Sequence, residues 1–320
     1  MNWRPSSGVV VARQRAAMLQ RARAFFRSRD VLETDTPALG HSTTTDPNID
    51  SLRIAGPGEA PLYLQTSPEF FMKRLLADGY PDIYAICRVF REGEAGRLHQ
   101  PEFTMVEWYR HGFGLDEMID DTVAFIAEAL QRTELQDADN LEYQTAFRRF
   151  AGVEPFTATI DELAEAAAAD TDLRESLGED RDAWLDLLLS TRVAPAFGDR
   201  RLTVLRHFPA SQAALARVCP ADDRVADRFE VFYGAVELAN GFVELRDPIE
   251  QRRRMQADLA KRRASTRRPV PLDEPLLAAL ESGLPECAGV AVGFERLLMI
   301  ARDAEDIRDV MTFAFDDKGD

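Results

Sequence analysis

Cysteine, histidine and long apolar runs are all scarce in this chain of 320 residues, and each scarcity excludes something. Cys87, Cys219 and Cys287 are widely spaced and form no Cys-x-x-Cys, so a disulfide framework is excluded and a reducing cytoplasm is the expected setting. His41, His99, His111 and His207 are equally scattered, which argues against a structural zinc. The longest apolar run, around 289–301, is interrupted by Glu295 and Arg296 and falls short of a membrane span. Basic charge is short as well. With 39 Lys and Arg against 55 Asp and Glu the net charge is −16, the opposite of the excess with which proteins grip nucleic-acid phosphates. A local basic stretch, Arg252, Arg253, Arg254, Lys261, Arg262, Arg263, Arg267 and Arg268, reads as a solvated helix face followed by a loop.

Hydrophobic content of 45% is that of an ordinary globular protein able to bury a sizeable core. The first 29 residues hold seven arginines and no acid, the composition of a transit peptide. Met18, Leu19, Ala22, Phe25 and Phe26 nevertheless recur at helical spacing, so this stretch is read as a helix capped by Ser6 or Ser7. A secretory signal is excluded because it has no apolar h-region. Downstream, Thr43–Gly58 is loop-like, Leu62–Thr66 reads as a strand, and Ser67-Pro68-Glu69 opens a helix. Ile83–Phe90 and Glu102–Tyr109 read as hairpin strands, 115–205 is rich in helical periodicity, and strands return at Val225–Leu245. The chain finishes as strand, turn and helix over Gly289–Ala301. Hairpin strands with helices outside them predict an α+β fold built on an antiparallel sheet rather than a doubly wound one.

Three places carry chemistry. In Glu102–Tyr109, period two puts Phe103, Met105, Glu107 and Tyr109 on one face, following Arg91, Arg97 and His99. A half-wetted edge face tolerates such a glutamate; so does a ligand site in which an aromatic stacks a base and an anion holds an ammonium group. In Arg228–Leu238, a two-residue turn at Tyr233-Gly234 places Glu230 directly opposite Glu237. Like charges about 5 Å apart destabilise a hairpin. Either a Mg²⁺ ion or an arginine offsets them, or the register is shifted by one and separates them. In Gly289–Ile300 a short apolar strand turns at Gly293 into a helix whose first turn carries Arg296, an arrangement suited to phosphate but also to plain packing.

In this order and spacing the segments resemble motif 2, the metal-binding hairpin and motif 3 of class II aminoacyl-tRNA synthetases. The lysyl branch is the nearest, since Glu-Leu-Ala-Asn-Gly-Phe-Val-Glu-Leu at 237–245 is specific to it. Arg29–Pro37 resembles motif 1, the dimer interface of that class. The resemblance runs from about residue 10 to 315 and is weakest over 112–205. It implies a single catalytic domain over 1–320, with a helix-rich insertion at about 112–205, using ATP and Mg²⁺. By position, Arg91 would bind the α-phosphate, Phe103 would stack on adenine and His99 would reach the outer phosphates. Arg296 would grip the γ-phosphate end, which makes Arg91 and Arg296 the catalytic pair. Glu92, Glu237, Leu238 and Gly293 complete the ATP set, and Glu230 with Glu237 would hold Mg²⁺. Ser67, Pro68, Glu69, Glu107, Tyr109, Asn240, Phe242, Glu244 and Ala291 would shape the amino-acid pocket. Two ammonium groups on one substrate account for that surplus of carboxylates, because each buried cation needs a partner.

Two departures from the lysyl enzymes narrow the expectation. Motif 1 begins near residue 29, leaving no room for an anticodon-reading OB-fold, and the middle glycine of the motif 3 strand is Ala291. Both features resemble the elongation factor P–lysine ligase family, whose members activate (R)-β-lysine and transfer it to a lysine of elongation factor P. The strings His-Phe-Pro-Ala-Ser-Gln and Asp-Arg-Phe-Glu-Val-Phe-Tyr match that family too. The resemblance implies a homodimer with elongation factor P as acceptor, (R)-β-lysine or lysine as substrate, and neither tRNA nor membrane as partner. A truncated synthetase that charges tRNA and a non-catalytic binding paralogue are the alternatives. Motif 2 also departs from Arg-x-Glu, with Gly93 in the third position flanked by Glu92 and Glu94, and Gln100 replaces an asparagine.

Overall fold

The computed structural model describes residues 3–56, 60–265 and 267–315, so the end of the Thr43–Gly58 loop lies outside the described residues. In chain order the elements are α1 (Val9–Arg27), β1 (Leu32–Glu33), β2 (Leu39–Gly40), β3 (Arg53–Ile54), β4 (Leu62–Leu64), α2 (Glu69–Ala77), β5 (Ile83–Phe90), β6 (Glu102–His111) and α3 (Leu115–Leu130). There follow β7 (Asp139–Glu142), α4 (Tyr143–Ala146), α5 (Ile160–Ala166), α6 (Thr171–Leu177), α7 (Arg181–Leu188), β8 (Leu202–Arg206), β9 (Arg228–Tyr233) and β10 (Val236–Val243). The last elements are α8 (Pro248–Ala264), α9 (Glu274–Gly283), β11 (Cys287–Gly293) and α10 (Phe294–Arg302). Two compact units result: one holds the residues up to Phe113, Phe125–Arg132 and those from Arg246 on, the other Gly114–Ala124 and Thr133–Leu245. Among the described residues no helix is long and apolar enough to cross a membrane.

In the first unit the strands run β1-β5-β6-β11, with β1 parallel to β5 and the other pairs antiparallel. Antiparallel pairing dominates, as the hairpin pattern predicts, and the parallel pair sits at the edge. One face of this sheet is closed by α1. Its predicted stripe is real: Met18, Ala22, Phe25 and Phe26 are buried. Phe26 stacks on Tyr84 at 4.1 Å and meets the Trp108 ring edge-on at 5.2 Å, while Phe25 contacts Phe125 at 5.3 Å. Each such ring contributes about 1.5–3 kcal/mol on burial, so this face is firmly packed. The expected serine cap is absent: Gly8 stands at the N-cap with no side-chain bond. Ser6 is instead engaged with the C-terminal segment, its hydroxyl accepting from the Ala314 amide and its own amide donating to Thr312.

The second unit orders its strands β10-β9-β8-β7, antiparallel except for β7 beside β8. Its core gathers Trp184, Leu188, Phe147, Phe208 and Tyr143 between the strands and the helices of the helix-rich stretch. Helix α5 starts with a full capping box, in which Thr159 and Glu162 each satisfy the other's backbone amide.

The basic stretch is largely the solvated helix face and loop expected from the sequence, with Arg262 as the exception. Arg262 is fully buried on α8, donating to the carbonyls of Asp46 and Ile49 and to Asp50 Oδ1. Arg267 pairs with Asp50, Arg252 with Glu274, and Arg253 and Arg254 with Glu250. The helix face is therefore largely neutralised, and one of its arginines is a core residue that ties the 46–50 loop to α8.

Helix α10 is anchored by a buried acid. Glu295 receives Arg15 Nη1 at 2.8 Å and the Thr104 amide at 2.8 Å, while Arg15 Nη2 donates to the Thr104 hydroxyl at 2.6 Å. Removing one member strands the others away from water, which typically costs about 3–5 kcal/mol. Glu295→Ala is therefore expected to lower stability by about 3 kcal/mol in urea titration with an unchanged slope; a loss under about 1 kcal/mol would mean the anchor is dispensable.

Candidate active site

The face of the first unit's sheet opposite α1 is built differently. Pairing across three strands sets Ala85, Glu107 and Ala291 in one row, Ile83, Tyr109 and Gly289 in the next, and Cys87, Met105 and Gly293 in a third. Directly paired residues share a face. The predicted face of Phe103, Met105, Glu107 and Tyr109 is thus bordered along β11 by Gly289, Ala291 and Gly293, none of which carries more than a methyl group.

The residues leading into α2 reach this face. Pro68 rather than Ser67 stands at the N-cap of α2, while the Ser67 hydroxyl accepts from the Glu69 amide at 2.9 Å and donates to Glu107 Oε2 at 2.8 Å. Tyr109 donates to Glu107 Oε1 at 2.7 Å. Lys73, one helical turn after Glu69, reaches its carboxylate at 2.7 Å. Glu107 is 2% exposed. Burial pushes its carboxyl well above the ordinary range and the nearby Glu69 carboxylate adds to this, while Tyr109, Ser67 and Lys73 pull the other way. The half-wetted edge-face alternative is therefore set aside: Glu107 is interior, and β6 lies between β5 and β11.

The motif 2 loop and the α10 start supply cations. Arg91 lies 5.1 Å from the Phe103 ring centroid and 3.5 Å from Glu94, and its Nε is buried with no acceptor among the described residues. Gly93 takes φ +79°, a region open to glycine and costly for the glutamate of the family pattern. Its flanking acids diverge, Glu94 toward Arg91 and Glu92 toward Arg268 at 3.5 Å. Arg296 Nη2 meets His99 Nε2 at 2.8 Å, so these two expected phosphate ligands stand together. Gly293 is the N-cap of α10, and a Cβ there would touch only the Arg296 side chain at 3.7 Å. Arg97 turns away, donating to the Glu305 carbonyl.

In the second unit the β9–β10 hairpin corrects the expected register. The turn is Gly234-Ala235, not Tyr233-Gly234: Tyr233 pairs with Val236, Phe232 with Glu237, and, past a bulge at Leu238, Glu230 with Asn240. Gly234 at φ +54° sets the turn one residue later than read. The bulge adds a residue to β10, which brings Glu237 and Asn240 onto one face together with Glu230, with Phe242 further along it. The two glutamates are therefore diagonal neighbours rather than direct opposites. Leu238 itself is buried at the bulge, and Glu244 is buried beyond the strand end, bridged to Ala216.

Arg228 partly offsets the pair. It donates to Glu230 Oε1 at 2.6 Å, to Asn240 Oδ1 at 3.2 Å and to the Gln212 carbonyl at 2.7 Å. Burial still pushes the Glu230 carboxyl above the ordinary range, with the Glu237 charge as the next cause and Arg228 opposing. Asp186, nearby on α7, is pushed up to about 6, by burial first, with Arg228 again opposing.

These observations meet the comparisons with known proteins. A family model described as tRNA synthetases class II (D, K and N) matches residues 3–317. Among curated relatives, elongation factor P–(R)-β-lysine ligase of Photorhabdus laumondii is 45% identical over 98% of this chain and 97% of its own length. The protein of that name from Edwardsiella ictaluri is 45% identical, and that of Klebsiella pneumoniae strain 342 is 44% identical, each over 98% of both chains. This chain belongs to the elongation factor P–(R)-β-lysine ligase family, within the class II synthetase fold.

For a member of this family, the sequence reading passed over three charged groups that the fold brings to the candidate site residues. Lys73 lies outside every motif, and its only signal is the i, i+4 spacing from Glu69 on an amphipathic helix. Arg228 opens the hairpin segment, and the sequence offered an arginine beside the two glutamates without naming which. Asp186 comes from the helix-rich stretch where the resemblance is weakest, and nothing local marks it.

The raised carboxyl of Glu107 gives a signed prediction. A carboxyl whose folded pKa exceeds its unfolded one binds its proton more tightly when folded. Stability is then greatest at acid pH and falls as pH climbs from the ordinary carboxylate range toward the raised value. Glu107→Gln, which stays neutral, is expected to flatten that decline and to be more stable than wild type at alkaline pH. Parallel urea-midpoint profiles for the two proteins across pH 4–9 would show that Glu107 ionises freely in the fold.

Proposed function

We propose that this protein is an ATP-dependent ligase of the cytoplasm, acting as a homodimer through the motif 1 segment. It activates (R)-β-lysine as its adenylate and passes the β-lysyl group to a lysine side chain of elongation factor P. The observation that carries this reading is Glu107: a buried carboxyl with donors from Ser67 and Tyr109, beside a second carboxylate, on a floor cut down to Gly289, Ala291 and Gly293. A diamino acid brings the ammonium groups that such a pair calls for. Relatives at 43–45% identity over about the whole chain carry the ligase name, which supports the same substrate.

The first step forms a bond between the amino acid's carboxylate oxygen and the α-phosphorus and breaks the bond to pyrophosphate. No general base is needed, and catalysis consists of positioning and charge stabilisation. Arg91 is suited to the α-phosphate, since its buried Nε still has a proton to donate. The Phe103 ring it covers is the surface on which adenine would stack. Arg296, its Nη2 donating to His99 Nε2, forms a ready cationic end for the outer phosphates. Glu237 and Glu230 fit a divalent cation, because their mutual repulsion is only partly offset by Arg228 and their hard oxygens suit Mg²⁺. That ion would supply screening of phosphate charge. In the second step the acceptor's neutral amine attacks the acyl carbon, AMP leaves, and the amine's proton passes to solvent.

Within the first unit, Ser67, Pro68, Glu69, Glu107, Tyr109 and Ala291 form the amino-acid set. Ala291 stands directly across from Glu107. Its methyl limits how closely an α-ammonium approaches that carboxyl and favours a group one carbon further out.

The test is amino-acid-dependent ATP–pyrophosphate exchange. Wild type is expected to exchange faster with (R)-β-lysine than with α-lysine, and Arg91→Ala or Arg296→Ala to lose about 10²–10³-fold with the fold intact by circular dichroism. No exchange with either amino acid would mean a non-catalytic paralogue; tRNA charging without labelling of elongation factor P would favour the synthetase reading. Ala291→Gly is expected to move the ratio of kcat/KM values toward α-lysine by about tenfold, the scale of one methyl group. An unchanged ratio would remove Ala291 from the specificity argument.

A further inference from the structure

The scattered histidines and cysteines led the sequence reading away from zinc, yet the fold of the second unit assembles three of the residue types that bind it. His207, Cys219 and Asp227 each direct a ligand atom into one place, all three within 4.8 Å of one another. We propose that they form a binding site for one zinc ion, separate from the Glu230–Glu237 pair and independent of the proposed ligase activity.

The case rests on how the groups are held. His207 follows β8 and takes φ +59°, a left-handed conformation that costs a histidine energy and turns its ring off the strand's course. Its amide donates to the Arg228 carbonyl at 2.9 Å. The ring Nδ1 lies 2.7 Å from Glu142 Oε2, so with the carboxylate accepting, the proton sits on Nδ1. The Nε2 lone pair then faces Asp227 Oδ1, 3.9 Å away. A carboxylate behind a histidine is the usual support of a metal-bound imidazole, fixing both its tautomer and its orientation.

Asp227 is 4% exposed, and its Oδ2 is occupied by Arg217 Nε and Nη2 at 2.9 and 2.6 Å, which orients Oδ1 toward the histidine. The backbone beneath is laced together: the Cys219 amide donates to Val225 at 2.9 Å, the Asp227 amide to Arg217 at 2.9 Å, and Val218 bridges Ala226. The three side chains thus stand on one hydrogen-bonded framework rather than on independent loops.

The donor set selects the metal. One imidazole nitrogen, one thiolate sulfur and one carboxylate oxygen suit zinc and other borderline divalent ions, whereas Mg²⁺ and Ca²⁺ take oxygen alone. Around a tetrahedral zinc, ligand atoms stand about 3.3–3.8 Å apart, so a closure of about 1 Å or less among the three side chains completes the geometry. Three protein ligands leave the fourth position to a small exogenous ligand. A zinc here would fasten residues 217–219 to the start of β9, the strand that carries Arg228 and Glu230.

The test uses the full chain after chelator dialysis, titrated with Co²⁺ in excess Mg²⁺ to mask sites made of carboxylates alone. One equivalent of Co²⁺ is expected to raise a near-ultraviolet thiolate charge-transfer band together with intense tetrahedral bands in the visible, and Zn²⁺ to abolish both. Cys219→Ser should remove the charge-transfer band, and Glu142→Gln should weaken Zn²⁺ affinity by about 10–100-fold at unchanged stoichiometry. Zn²⁺ should also raise the melting temperature of wild type but not of Cys219→Ser. The proposal is overturned if no band forms, or if band and affinity survive in Cys219→Ser. The cluster would then be an imidazolium held between Glu142 and Asp227 and nothing more.

Discussion

Moving a carboxylate out of water costs several kcal/mol unless a cation or several donors accompany it. Among the buried carboxylates of this chain, Glu107 and Glu230 each have a second carboxylate close by. In the first unit Glu107 is interior, Glu69 is beside it, and a built-in cation, Lys73, is bonded to Glu69. In the second, Glu230 is buried against Glu237 with Arg228 as a partial counter-ion. Such pairs weaken a fold that has nothing to bind. They become favourable when a ligand brings positive charge, as an ammonium group at Glu107 and a divalent cation at Glu230 and Glu237 would. The two acid pairs account for the residue choices around them better than any packing argument does.

The sheet makes this tolerable by dividing labour between its faces. Behind β5 and β6, Tyr84 and Trp108 pack under Phe26, supplying apolar burial. In front, the same strands carry Ala85, Glu107 and Tyr109, with Ala291 and its flanking glycines on β11. A one-residue slip of β6 would exchange the faces, burying Glu107 under α1 and putting Trp108 in the pocket. The anchor of Glu295 to Arg15 and Thr104 opposes such a slip, since it fastens α10, the helix carrying Arg296, to β6 itself.

What was legible in the sequence was what short-range periodicity decides. Strand β5 falls on its predicted bounds and β6 begins at its predicted residue, because alternation over eight or more residues is a strong signal. The face shared by Phe103, Glu107 and Tyr109 follows from that alternation alone. The β9–β10 register did not, because a bulge at Leu238 and a turn one residue late are invisible to a count of pairs. The Ser6 cap failed for another reason: its hydroxyl is claimed by Ala314, more than three hundred residues away. Arg262 and the His207, Cys219 and Asp227 cluster belong with it, since their partners are gathered by tertiary structure.

Burial and the Glu69 charge push the Glu107 carboxyl above the ordinary range, and a substrate ammonium beside it would pull it down. Calorimetric titration with (R)-β-lysine at neutral pH, repeated in buffers of different ionisation enthalpy, measures the protons exchanged on binding. If the account is right, binding ionises the carboxyl and releases protons, and the apparent enthalpy varies with the buffer. Binding whose enthalpy is the same in every buffer would mean that Glu107 is already ionised, and would contradict the account at its base.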